Sequence, residues 1–472
     1  MVLMVFNTLG RQKEEFTPSH KDEVRMYVCG PTVYDFIHIG NARAFVVADV
    51  VRRYLEYKGC EVQFVSNITD VDDKSIRRAK EMGMSLQRLG EIYSDAYFED
   101  MAQLNIKKPD INPRATQHVN EIIELIQTLI DKGYAYQVDG DIYYDVSRLE
   151  EYGKLSGNKA EALMLGARIE VNPKKKNPAD FALWKKQRDD EPAWYSPWGK
   201  GRPGWHVECS AMAMKYLGES FDIHMGGKDL IFPHHENEIA QSEAATGKPF
   251  ARYWLHNEWL TVNGEKMSKS LGNFVTVQEA LKKYNPQVLR FFLMFAHYRS
   301  PVDFNDESLS QAERNLERFL NTVEKLEALK EREHSTIDDE ALLEEVEETK
   351  EKFEEAMDND FNTPLAISAI VELTKTINSY VEKNTEIEAK IKRRTLEIIH
   401  QLTNVLGIKV EERKSERPER LEVIEHLMNL IIKIRQQARE RKDWKAADAI
   451  SCLLYTSPSP RDRTRPRMPS SA

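Results

Sequence analysis

Four cysteines in a chain of 472 residues do not make a disulfide framework, so Cys29, Cys60, Cys209 and Cys452 read as core residues or metal ligands in a reducing compartment. Long hydrophobic runs are also missing: no stretch approaches the ~20 apolar residues that a membrane-spanning helix needs. The apolar patch at residues 1–6 has no basic segment before it and is too short for a signal-peptide core, so a cytoplasmic location is expected. Basic charge is not in excess, with 67 Lys and Arg against 77 Asp and Glu and a formal net charge of −10. That excludes a protein basic all over but not a nucleic-acid partner, because local patches set the encounter. No fixed-period repeat is present. At 41% hydrophobic and 31% charged residues, the chain is globular, long enough for about three domains and at least one thick core.

The run from Val24 to Cys29 ends in Gly30-Pro31 and reads as a buried strand entering a tight turn. A helix over Ala42–Lys58 follows, with Ala44, Val47, Val51 and Leu55 on one face and Gly59 as its stop, then a strand over Glu61–Ile68. Strand, turn, helix, strand opens a parallel α/β sheet, which binds ligands at the carboxyl ends of its strands. Residues 111–203 differ, with a helix at Thr116–Lys132, strand-like pieces at Ala135–Val138 and Ile142–Val146, and loops rich in Lys, Pro and Trp; they read as an insertion. Strands at Phe221–Met225 and Leu255–Val262, separated by a helix starting near His234, resume the sheet. From Leu309 the pattern is long, amphipathic and rich in Glu and Lys, with a break at Asn362-Thr363-Pro364. The expected organisation is an α/β catalytic domain split into 1–110 and 204–260, an inserted region at 111–203, a segment at 261–308, a helical domain at 309–450 and a tail at 451–472.

Three groups of residues point to chemistry. His38-Ile39-Gly40-Asn41 lies after the first strand at the mouth of a helix, where glycine admits a ligand close to backbone, the helix N-terminus attracts anions, and histidine can donate to phosphate oxygens. Lys266-Met267-Ser268-Lys269-Ser270, followed by Leu271-Gly272-Asn273, offers two mobile ammonium groups suited to a triphosphate. Cys29, Cys209, His234 and Glu238 make a plausible tetrahedral zinc set, since His234 and Glu238 share a helix face. Taken singly, each of these also reads as ordinary turn, solvated loop or core. Asp70, Asp72 and Asp73 lack calcium-loop spacing and read as a solvent-facing helix start.

The pairing of the histidine-glycine turn with the KMSKS loop resembles class I aminoacyl-tRNA synthetases. Five ordered blocks extend this to the cysteinyl-tRNA synthetases, over about Val5–Ile450: residues 29–43, 67–75, 201–212, 222–244 and 263–273. The resemblance implies a Rossmann-like parallel-sheet catalytic domain, a stem-contact role for 261–308 and an all-α helical domain on the anticodon side of a tRNA. It implies one zinc ion per subunit on Cys29, Cys209, His234 and Glu238, which also binds the substrate thiol, whereas serine's hydroxyl competes poorly. It further implies that cysteine is activated by ATP with Mg2+ to cysteinyl-adenylate and passed to the 3′ end of tRNA(Cys). His38 and Lys269 are assigned to the phosphates, with Lys266 supporting, Thr32 as an extra donor, and Gly40 and Asn41 completing the turn. Asn41 departs from the class motif, which has a second histidine there; it donates a hydrogen bond but carries no charge. Gly226, Gly227 and Asp229 are read as a nucleotide cradle, with the substrate ammonium group as the alternative role for Asp229, and Trp205 and His206 as walls of the amino-acid pocket.

Two other readings fit these motifs: a related ligase passing activated cysteine to a small amine, and a non-catalytic RNA-binding paralogue. Glu331–Asp360 reads as a solvated acidic face, and Lys390–Arg394 and Lys433–Lys442 with Trp444 as candidate RNA contacts. From Ser451 the sequence turns abruptly to Pro, Ser and Arg and reads as foreign sequence or a disordered basic tail. A monomer acting on tRNA, L-cysteine and ATP, without a membrane partner, is expected.

Overall fold

The computed structural model describes residues 2–157, 174–188, 191–267, 271–410, 430, 433–434, 437–438, 441 and 443. Lys269, Trp444, Cys452, the tail and most of the basic run 433–442 lie outside the described residues. The chain divides into two compact units, Met1–Ile408 and Lys409–Ala472; all elements below belong to the first. No helix among the described residues is long and apolar enough to cross a membrane.

The central sheet has four parallel strands: β1 (Glu23–Val28), β2 (Glu61–Ser66), β3 (Phe221–Gly227) and β4 (Ala251–Asn257), in the order β4-β3-β1-β2. β3 is buried from Phe221 to Gly226, as expected of a parallel strand covered on both faces. Helix α1 (Ile39–Tyr57) begins three residues before the expected Ala42, because the His38 side chain caps it. The expected strand Leu255–Val262 is two elements: β4 ends at Asn257, and Leu260–Val262 joins a separate sheet with Glu265–Lys266 and Val302–Phe304. Exposed Arg252 and Trp259, polar and bulky in turn, blur both limits in the sequence.

Between β2 and β3 lies a second, antiparallel sheet of Ala135–Val138, Asp141–Tyr144, Phe181–Lys186 and Gly201–Pro203. Helix Val119–Asp131 covers it around buried Ile126, Tyr144 and Trp184. The last two strands were not legible among the Lys, Pro and Trp residues that surround them. Helices α2 (Trp205–Leu217) and α3 (Glu236–Thr246) then return the chain to the parallel sheet, with a π-helical turn at Ile231–His235 before α3.

Four long helices follow: α4 (Asp306–Ala328), α5 (Ile337–Asp358), α6 (Thr363–Lys383) and α7 (Ala389–Leu406). The expected break is a cap, with Asn362 accepting from Leu365 N and Pro364 in the first turn of α6. The acidic stretch is not wholly a solvated face. Asp339 is buried against the Tyr380 hydroxyl and Arg332, and Asp358 accepts from Tyr54 of α1 at 2.7 Å. Asp360 accepts from Phe6 N, the Tyr298 hydroxyl and Arg299 Nε at 2.7–2.8 Å. Within the basic run of α7, Lys392 donates to the Leu329 carbonyl and Arg394 pairs with Glu347, so part of its charge is spent internally. α1 is tied to α7 by a buried knot in which Arg53 and Arg290 share Asp49 Oδ2 at 2.7 and 2.6 Å, while Arg53 Nη1 donates to Asn404 O.

Candidate active site and metal centre

A cavity of about 410 Å³ opens at the carboxyl ends of β1, β3 and β4. Its floor begins where β1 passes into Cys29-Gly30-Pro31-Thr32. Gly30 is required by close approach: a Cβ there would lie 1.6 Å from the Asn67 carbonyl oxygen. Asn67 Oδ1 accepts from Gly30 N at 2.9 Å, Val33 N donates to Thr69 O, and Thr69 N donates to Pro31 O. The Asn67-Ile68-Thr69-Asp70 block is thus the scaffold of the turn. Asp70 corrects the solvent-facing expectation, since it is buried and accepts from Thr116 N and Oγ1 at 3.0 and 2.7 Å. Asp72 does start a helix, as the cap of Asp73–Met82.

At the inner end, Cys29, Cys209, His234 and Glu238 place one donor atom each within 4.8 Å of one another, as do Cys29, His224, His235 and Glu238. The two thiols are 3.9 Å apart, Cys29 Sγ is 3.5 Å from Glu238 Oε1, and His234 Nε2 is 3.2 Å from the same oxygen. Cys29 donates to Cys209, which holds the Cys209 thiol below its usual pKa, while burial pushes that of Cys29 well up. Burial alone would lower the pKa of His234, but the charges of Glu238 and Cys209 outweigh it and raise it. A pair of soft sulfur donors with imidazole and carboxylate is a donor set that suits zinc.

Around these groups stands a layer of histidines. His224 Nε2 lies 2.9 Å from Glu238 Oε2, His235 Nδ1 lies 2.8 Å from His256 Nε2, and His256 Nδ1 contacts Thr8 Oγ1 at 2.8 Å. Burial keeps His235 and His256 neutral and pushes the latter down to about 3. Sequence reasoning missed all three. Their signals were the doubled histidine at 234–235 and the single histidines inside the β3 and β4 runs. Gly226 serves this layer, because a Cβ there would lie 2.8 Å from His235 Cε1.

Trp205 lies against His234, with ring centroids 4.3 Å apart and planes tilted by 31°, and lines the cavity, as do Gly226, Gly227 and exposed Asp229. His206 lies behind, with Nδ1 3.0 Å from His234 Nδ1, and lines a neighbouring cavity of about 790 Å³ that Trp205 and Thr32 share. This second cavity is bordered by Lys74, Arg77, Lys185 and Arg202.

At the outer end, His38 Nδ1 accepts from Asn41 N at 3.2 Å and Asn41 Oδ1 accepts from His38 N at 3.3 Å. This reciprocal cap places the ring proton on Nε2 and gives Asn41 a structural task that needs no charge. A Cβ on Gly40 would lie 3.0 Å from His38 Nδ1 and 3.3 Å from the methyl of Met267. The chain after the lysine loop runs beside this turn, with Ile39 N donating to Val275 O and Val277 N to Ile37 O. The structure therefore brings His38, Gly40, Asn41, Lys266, Trp205, Thr32, Gly226, Gly227, Asp229 and Cys29 to one cavity.

Comparison with known proteins agrees. A family model described as the class I (C) tRNA synthetase catalytic domain matches residues 15–314, and the DALR domain matches 352–411. A cysteine–tRNA ligase of Geobacillus sp. (strain WCH70) is 51% identical over 95% of this chain and 94% of its own length. One of Thermococcus onnurineus (strain NA1) is 49% identical over 95% of each. The fold is also similar to methionyl-tRNA synthetase of Mycobacterium tuberculosis in complex with methionyl-adenylate (TM-score 0.60, 17% identity, 81% of this chain and 89% of that one). An Agrobacterium radiobacter K84 LeuRS in a ternary complex is likewise similar (TM-score 0.58, 12% identity, 84% and 85%). With a class I catalytic sheet, a helical C-terminal domain and relatives of about half identity along nearly its whole length, the chain belongs to the cysteine–tRNA ligase family.

Proposed function

We propose that the protein activates L-cysteine with MgATP and transfers it to the 3′ end of tRNA(Cys), with the inner end of the cavity reading the thiol and the outer end holding the phosphates. The observation that supports this most is that Cys29, one donor of the buried thiol, imidazole and carboxylate cluster, and the His38 turn line one cavity.

Of the two donor sets, we assign zinc to Cys29, Cys209, His234 and Glu238. This set has two sulfurs, and His224 is engaged with the second Glu238 oxygen, where it orients the carboxylate. Zinc bound there supplies a soft Lewis acid for the substrate thiolate, which selects cysteine over serine. Trp205 walls the amino-acid pocket, with His206 behind it against His234 rather than in the wall, and exposed Asp229 accepts from the substrate ammonium group or the adenosine lying against Gly226 and Gly227.

In the first step a carboxylate oxygen of cysteine attacks the α-phosphorus of ATP, the bond to the bridging oxygen breaks, and pyrophosphate leaves. The protein positions reactants and offsets charge. His38 donates from Nε2, Thr32 from its hydroxyl and Asn41 holds the turn; Lys266 and Lys269 meet the departing phosphates. In the second step a terminal ribose hydroxyl attacks the acyl carbon and AMP leaves. We assign residues 261–308 to the stem of the tRNA and 309–450 to its anticodon side, with 111–203 as the inserted connective region, in a monomer working in the cytoplasm.

The test is charging of a tRNA(Cys) transcript with labelled cysteine. Cysteine-dependent, serine-resistant charging is expected. Adenylate formation without charging would move the reading to a small-amine acceptor, and neither reaction would leave a non-catalytic RNA-binding protein.

A further inference from the structure

Trp259 lies in the turn between β4 and the strand Leu260–Val262, faces the cavity and keeps 44% of its surface exposed. Two ammonium groups lie against its ring, Lys266 Nζ at 4.7 Å and Lys228 Nζ at 5.5 Å from the centroid, both within cation–π range. They are not equivalent. Lys228 is paired with Glu258 at 2.6 Å, whereas among the described residues Lys266 has no carboxylate partner.

The turn that carries the indole is fixed at its backbone. Arg43, fully buried on α1, donates from Nη1 to the carbonyls of Glu258 and Trp259 at 2.8 and 2.9 Å. Its Nη2 donates to those of His297 and Ser300 at 3.1 and 2.6 Å. One guanidinium thus locks the Trp259 turn to α1, the helix that His38 caps. On the other side of Lys266, the Met267 methyl rests over Gly40. Lys266 therefore rests beside the phosphate turn against a ring that makes no ion pair with it.

We infer that Trp259 is a positioning residue of the nucleotide step: its indole parks the Lys266 ammonium in the nucleotide-free protein, and the triphosphate of MgATP draws the lysine off the ring. This rests on the reading that the cavity takes ATP. A carboxylate in place of the indole would compete with the phosphates as an anion, while a bare surface would leave the long side chain unplaced. A cation over an exposed ring contributes little, so the lysine transfers at small expense.

Because the parking contact is lost when ATP binds, removing it tightens binding. Trp259→Leu should lower the Kd for MgATP, measured by equilibrium dialysis, about two- to fivefold. Trp259→Phe, which keeps a ring of weaker cation affinity, should fall between that variant and the parent. In a Lys266→Gln background, Trp259→Leu should no longer change the Kd. A Kd that rises or stays level in the Leu variant, or an effect that persists without Lys266, would overturn the inference. Failure of the proposed function shows separately: parent protein that binds MgATP but gives no exchange with cysteine leaves the Kd series as the test. Parent protein that binds no MgATP overturns both.

Discussion

The two ends of the cavity are built on opposite principles. At the inner end Cys209 and His234 are each 2% exposed and Glu238 is fully buried, and His224, His235 and His256 occupy the surrounding positions. At the outer end His38 and Asn41 are half-buried and Lys266 and Trp259 are exposed. Preorganised donors suit a ligand recognised by one atom, whereas long cationic side chains suit phosphates that change partners during reaction. On the proposed assignment of the two ends, the difference makes selection and activation mechanically separate, and variants should strike one without the other.

The largest effect is expected from Cys209→Ser, which should cost about 10³-fold in kcat/KM for cysteine while the KM for ATP moves a few-fold, with zinc content by mass spectrometry falling in parallel. His38→Ala should do the reverse, lowering kcat of pyrophosphate exchange about 10²-fold with zinc content unchanged. A third prediction uses acid. The folded-state pKa of His256, depressed to about 3 by burial and His224, makes its contribution to stability present above the ordinary value of 6.5 and lost as pH falls toward 3. Denaturant titration of His256→Gln should therefore show about 2 kcal/mol less loss of stability between pH 7 and pH 5 than the parent. The smallest effect belongs to Asn41→Ala, which removes half of the reciprocal cap and should lower stability by about 1 kcal/mol. Asn41→His restoring full exchange without restoring stability would show that charge, not capping, matters there.

Much of this was legible before the structure, and the parts that were not have physical reasons. The opening of the parallel sheet and the onset of the helical region follow from hydrophobic periodicity, and the His234–Glu238 pair from helical spacing. α1 began early because a histidine served as cap, a role for which Ser, Thr, Asp and Asn are the usual signals. The split of 255–262 into two strands depends on a sheet completed by Val302–Phe304, a partner distant in sequence. His224 and His256 read as strand residues, and only the packing of β3 beside β4 turns them toward Glu238 and His235. Asp70, Asp339, Asp358 and Asp360 looked like surface charge because composition cannot tell a solvated carboxylate from one whose partners lie elsewhere in the chain.

The most direct test is cysteine-dependent exchange of labelled pyrophosphate into ATP, with serine as competitor, on protein before chelation, after it and after zinc is returned. Exchange that is specific for cysteine, lost with the metal and regained with zinc is the predicted result. Unchanged exchange in metal-free protein, or equal exchange with serine, would contradict the account.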